Sequence, residues 1–141
     1  MEDNDYIIQT PKDFILGGKA NFTVENSITK NRFTYTINQN KKDNKMYFVK
    51  VSYAYGEYMY IGALINTSYG FKFKISAKLI ESETPPSVKV IEYIIKWYLN
   101  LDHPHQNMIF YHHGHCCRCG RVLTTPESVI KGIGPFCEGL D

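Results

Sequence analysis

Five stretches rich in aromatic and β-branched residues follow one another from Ala20 onward: NFTVEN, RFTYTINQ, MYFVKVSYA, YMYIGALIN and FKFKIS. Such compositions favour strands. The segments between them, SITKN, NKKDNK, YGE and TSYG, are turn-like and shorter than the dozen or so residues that a parallel crossover needs. The order therefore predicts an antiparallel meander of about five strands. In FKFKIS, Phe71, Phe73 and Ile75 alternate with Lys72 and Lys74. A period of two sends the rings to one face and the lysines to the other, so one face packs and one is wet.

The packed face needs a cover, and PPSVKVIEYIIKWYLN has the pattern for it. Val88, Ile91, Ile95 and Tyr98 recur at helical spacing with Ile94 and Leu99 beside them, while Lys89, Glu92 and Lys96 line the opposite side. That is an amphipathic helix, with Thr84 or Ser87 as its cap and Pro85 and Pro86 keeping it from starting earlier. Near the N-terminus, TPKDFILGG places Thr10 and Pro11 at a helix start and Gly17 and Gly18 at its end, predicting one short helix. MIFYH, after the loop LDHPHQN, reads as a short apolar strand.

The expected fold class is α+β: a roughly five-stranded antiparallel meander covered by one amphipathic helix, with a C-terminal zinc-knuckle module. The expected segments are 1–18 with a short helix, 19–101 with the sheet and its packing helix, and 102–141 with the metal site. A chain of 141 residues, 43% hydrophobic and 21% charged, has the balance of an ordinary globular domain. No apolar run reaches the roughly 18 residues of a membrane helix, and MEDNDYIIQ opens acidic and polar. The expectation is a soluble intracellular protein. The abundance of Ile, Asn, Lys and Tyr is what AT-rich codons supply, a hint of a low-GC bacterium or its phage.

All four cysteines lie within HHGHCCRCGRVLTTPESVIKGIGPFC. In a reducing cytosol such crowding points to metal ligands rather than disulfides. Cys116 and Cys119 have the C-x-x-C spacing that lets two thiolates of one tight turn reach the same ion, and Gly120 stands where such a knuckle needs positive φ. Cys137 lies where a hairpin and a short helix can return it to the knuckle. Thr125 caps that helix, Pro126 opens it, and Gly132 with Gly134-Pro135 stops it. Structural zinc takes four ligands. His112 is the favoured fourth, because H-x3-C leaves enough chain to turn back; His113 is its nearest rival. His115 and Cys117 adjoin Cys116, and neighbours rarely point at one ion.

The run C-x-x-C-G-R-x-L-T-x-P-x-S followed by G-I-G-P-x-C resembles the C-terminal signature of a phage-associated zinc-knuckle family of unsettled function. The matching positions are His112, Cys116, Cys119, Gly120, Arg121, Leu123, Thr124, Pro126, Ser128, Gly132, Ile133, Gly134, Pro135 and Cys137. Weaker likeness extends upstream through FILGGKANFTVEN, RFTYTI, YIGAL and the PPSVKVIEYIIKWYL helix. Thr125 stands where the family usually has aspartate, and His113, His115 and Cys117 are extra candidate ligands. The whole also looks like the zinc-bearing anti-CRISPR proteins aimed at type II CRISPR effector nucleases. That resemblance implies a structural zinc, a guide-loaded effector as partner, blocked target DNA binding or cleavage, and a place in the cytoplasm of an infected bacterial host.

The residues themselves speak against an enzyme. Three cysteines with a histidine close a zinc site, whereas a catalytic zinc keeps one position open. The segment from Val122 to Phe136 has no histidine or asparagine to serve a metal nuclease. Charge leaves a second function in view: residues 16–80 carry ten Lys or Arg against three acids, a net of +7, while 81–141 are −2 and 1–15 are −3. A basic sheet rich in Tyr and Lys fits a nucleic-acid-binding accessory protein. The tyrosines from Tyr53 to Tyr60 fit a protein interface.

Overall fold

The computed structural model describes residues 5–80, 84–103 and 107–139. The elements run β1 (Tyr6–Ile7), α1 (Pro11–Ile15), β2 (Lys19–Asn26), β3 (Arg32–Gln39), β4 (Met46–Ala54), β5 (Glu57–Thr67), β6 (Gly70–Ile75), α2 (Ala77–Ile80), α3 (Pro86–Ile94), β7 (Met108–His112), α4 (Pro126–Lys131) and α5 (Pro135–Glu138). The meander expected from the sequence is β2 to β6, each strand antiparallel to the next.

The sheet is wider than expected. MIFYH, as β7, enters between β1 and β2, giving seven strands in the order β1-β7-β2-β3-β4-β5-β6. The physical reason lies in β2, whose buried Phe22 and Val24 would otherwise sit on a sheet edge. Phe110 of β7 packs against Phe22 at 6.0 Å between ring centroids and against Tyr98 at 4.7 Å. Met108–His112, within the expected 102–141 segment, therefore belongs to the main sheet. The molecule is a mostly β structure carrying short helices.

The covering helix is as its periodicity predicts, with Val88, Ile91, Ile94, Ile95, Tyr98 and Leu99 all buried. It departs in two details. Pro85 holds the N-cap position without a side-chain bond, and Ser87 instead lends its carbonyl to the buried Tyr35 hydroxyl at 2.6 Å. Beyond Ile94 the helix continues as a π-helical turn, Ile95–Asn100. At its end, the Asn100 side chain accepts from Phe71 N–H at 2.7 Å and donates to Phe71 C=O at 2.9 Å, satisfying backbone groups of β6 that face no further strand.

Register sorts the two faces. Phe22, Tyr35, Val51 and then Ile37, Val49 and Gly62 lie across the packed face. On the opposite face, Lys19, Asn38, Phe48, Ala63 and Lys74 form one row across five strands, and Asn21, Thr36, Lys50 and Tyr60 form the next. Lys19, Lys50, Tyr60, Lys72 and Lys74 are exposed.

Candidate metal centre

The C-x-x-C turn closes as its spacing requires. Gly120 takes φ +82°, its N–H donates to Cys116 C=O at 2.9 Å, and Cys116 N–H donates to Arg121 C=O at 2.8 Å. His115 and Val122 make one antiparallel bridge, which starts the chain toward α4. Thr125 caps that helix: its Oγ1 accepts from Ser128 N–H at 3.3 Å. Gly132 ends it at φ +74°, in the left-handed region where glycine is unstrained. The chain then returns Cys137, at the centre of α5, to the knuckle.

The result is a group in which the sulfurs of Cys116, Cys119 and Cys137 all lie within 4.8 Å of one another. Such a group can hold a metal ion. Cys116 and Cys137 are buried, and Cys119 is half-buried. Backbone N–H groups of Arg118 and Gly134 each point at Cys116 Sγ from 3.4 Å. Burial pushes the Cys116 thiol up, but N–H donors from Gly134, Cys119 and Arg118 outweigh it and bring the thiol down to about 7. Desolvation, helped by the sulfurs of Cys119 and Cys116, pushes Cys137 up to about 11. Cys116 is thus the thiol favoured as a thiolate before any ion arrives, whereas Cys137 needs the ion's charge. Its open side is a cleft of about 440 Å³ lined by Arg118, Arg121, Val122, Leu123 and Phe136.

The structure brings together three of the four expected ligands and places His112 elsewhere. His112 is fully buried, stacked on Phe14 and tilted against Tyr6. Its Nε2–H donates to Val129 C=O at 2.7 Å and its Nδ1 accepts from Gly114 N–H at 3.1 Å. Both nitrogens are spent, which fixes the neutral tautomer, and burial lowers the imidazole's pKa below its ordinary 6.5. Strand alternation explains the placement: His112 follows Phe110 by two on β7, so it points into the packed face. His112 therefore ties α4 to the sheet.

The rivals are also engaged or turned away. His113 lies on the sheet's open face, with Nε2 2.9 Å from Thr23 Oγ1 and Nδ1 3.2 Å from Asp5 Oδ1. His115 is exposed. Cys117 points into the main core, where burial pushes its thiol up to about 12. Among the described residues, no other Cys, His, Asp or Glu joins the three sulfurs.

Sequence reasoning missed the anchoring role of Cys117. Its N–H donates to Gly132 C=O at 3.0 Å and its C=O accepts from Lys19 N–H at 2.7 Å, so the knuckle is hydrogen-bonded both to the end of α4 and to the start of β2. The adjacent cysteines carried the signal, since neighbouring side chains rarely reach one ion and the second is left to serve elsewhere.

No helix among the described residues is long and apolar enough to cross a membrane. Neither a curated protein nor a solved structure matches the chain. The segment that holds the whole cluster is nevertheless similar to a known group: residues 109–140 match the model of a family of unknown function, DUF6011.

Proposed function

We propose that this is a non-catalytic nucleic-acid-binding protein whose C-terminal segment is stapled by zinc. Zinc suits the site because soft thiolates select it over magnesium or calcium, and a tetrahedral zinc with bonds of about 2.3 Å wants sulfurs about 3.8 Å apart. Among the described residues no histidine joins the three sulfurs, and His112 is committed to Val129 and Gly114. The three thiols supply three of the four ligands that a tetrahedral zinc takes, and among the described residues no protein side chain supplies the fourth.

The observation that carries the binding function is the uncovered sheet face. Lys19, Lys50, Lys72 and Lys74 stand on it without an ion-pair partner among the described residues, and Phe48 and Tyr60 lie between them. The acids of this face, Asp5 and Glu25, are at its other end and already paired with Arg32. A cationic surface with aromatic rings supplies phosphate attraction and stacking together. Binding of the metal-loaded protein to mixed-sequence oligonucleotides, measured by anisotropy, tests this. Affinity should fall steeply between about 50 and 200 mM salt; absence of salt-sensitive binding would refute it.

A second function is favoured by the β4–β5 tip, where Tyr53 and Tyr55 are 65% and 96% exposed. Exposed tyrosines suit a protein contact, and the chain's resemblance to type II anti-CRISPR proteins names a guide-loaded effector nuclease, in the cytoplasm of an infected bacterial host, as that partner. The sign of the sheet's charge disfavours occupancy of the effector's positive DNA channel. Co-elution with a guide-loaded effector after nuclease treatment, lost on Tyr53→Ser with Tyr55→Ser, is the outcome this function requires.

A further inference from the structure

We infer that the ligand of the open face is single-stranded nucleic acid, laid across β2 to β6 with a base stacked at Phe48 and Tyr60. This rests on the nucleic-acid function proposed above and goes further by excluding the duplex.

Two dimensions argue for a single strand. The row Lys19–Asn38–Phe48–Ala63–Lys74 crosses five strands, a span of about 19 Å at roughly 4.8 Å per strand. A duplex major groove, about 12 Å wide, admits a helix or a two-stranded ribbon and not a sheet of that breadth. The same span matches five or six stacked nucleotides at about 3.4 Å each, with a lysine at either end.

The chemistry argues the same way. Phe48 and Tyr60 sit diagonally on β4 and β5, ring centroids 6.3 Å apart and planes at 60°, and Tyr60 is 41% exposed. An edge-to-face pair holds each ring in place, so a base that stacks on one meets a fixed platform. Only unpaired bases present a free face for that purpose. Lys50 is directly opposite Tyr60, and Lys74 is two places beyond Phe48 in its row, across Ala63. Phosphates flanking a stacked base would meet both.

The test is anisotropy of the metal-loaded protein with a mixed-sequence 12-nucleotide DNA, the same sequence as RNA, and the same DNA as duplex. One or both single strands should bind at least ten-fold tighter than the duplex, and the tighter of the two assigns DNA or RNA. Tyr60→Leu should weaken the single strand about five-fold or more with an unchanged salt slope, while Tyr60→Phe, which keeps the ring, should stay within two-fold of wild type. Lys74→Ala should lower the salt slope by about 0.7. Because Tyr60 is partly exposed, far-ultraviolet circular dichroism and melting of the variants confirm that the fold persists. Equal duplex binding, or indifference to Tyr60→Leu, would overturn this inference and leave the nucleic-acid function standing. No binding to any of the three would overturn both.

Discussion

Cys116 and Cys117 are neighbours in sequence and belong to different cores: Cys116 packs with Leu123 and Cys137 around the metal site, while Cys117 packs with the residues that line the sheet. The knuckle turn makes this possible: Cys117 already lies within the turn that Gly120 N–H closes onto Cys116 C=O, so the two side chains leave in different directions. Removing either thiol should therefore have different consequences. Cys117→Ala should keep one metal per chain and lose about 1 kcal/mol from a small cavity. Cys116→Ala should lose the metal. Elemental analysis beside urea melts separates the two, and metal loss in Cys117→Ala would show that its sulfur is a ligand.

Chelation should loosen the knuckle, α4 and α5 while the sheet survives, because β7 ends at His112, before the first cysteine, and is paired on both sides. Hydrogen exchange should quicken for amides of residues 116–138 and stay slow at Val49 and Leu64. Global unfolding on chelation would mean the metal holds the main core as well.

His112 makes stability depend on pH. Its folded pKa is lowered, chiefly by burial, so unfolding takes up a proton once the pH is below the imidazole's ordinary 6.5. Its contribution is complete above that value and is lost as pH falls below it, at up to about 1.4 kcal/mol per pH unit. His112→Phe keeps the stack on Phe14 and should flatten this part of the acid slope without changing metal content. Loss of metal in that variant would restore His112 as a ligand.

At Gly132 the backbone has φ +74°, and a Cβ there would lie 2.7 Å from the Phe14 ring. Gly132→Ala combines left-handed strain with a clash between α4 and α1. It should cost about 1–3 kcal/mol in thermal melts; a neutral result would mean that α1 yields freely.

Asn100→Ala removes both bonds to Phe71 and uncovers the β6 edge. Stability should fall by about 1–2 kcal/mol, and concentration-dependent association should appear in sedimentation. Unchanged behaviour on both counts would make the contact incidental.

The strands from Lys19 to Ile75 and the buried stripe of α3 were legible because hydrophobic period is local, and so were the Thr125 cap and the Gly120 knuckle. The place of β7 was not, since MIFYH reads as a strand yet its partners, Tyr6–Ile7 and Phe22 to Asn26, lie about eighty residues or more away in sequence and no local pattern encodes such pairing. His112, the expected fourth ligand, lies apart from the three sulfurs for a related reason. Spacing from Cys116 favoured it, but its alternation with Phe110 on β7 places it in the core. Sequence spacing counted the chain between two ligands and missed the strand that directs one of them.

Amide chemical-shift mapping of the metal-loaded protein with the 12-nucleotide single strand tests most directly whether the open sheet face binds it. Shifts should concentrate at Lys19, Phe48, Lys50, Tyr60, Ala63 and Lys74, with α4 and α5 unmoved. Shifts confined to the knuckle and Phe136, or none at all, would contradict binding at that face.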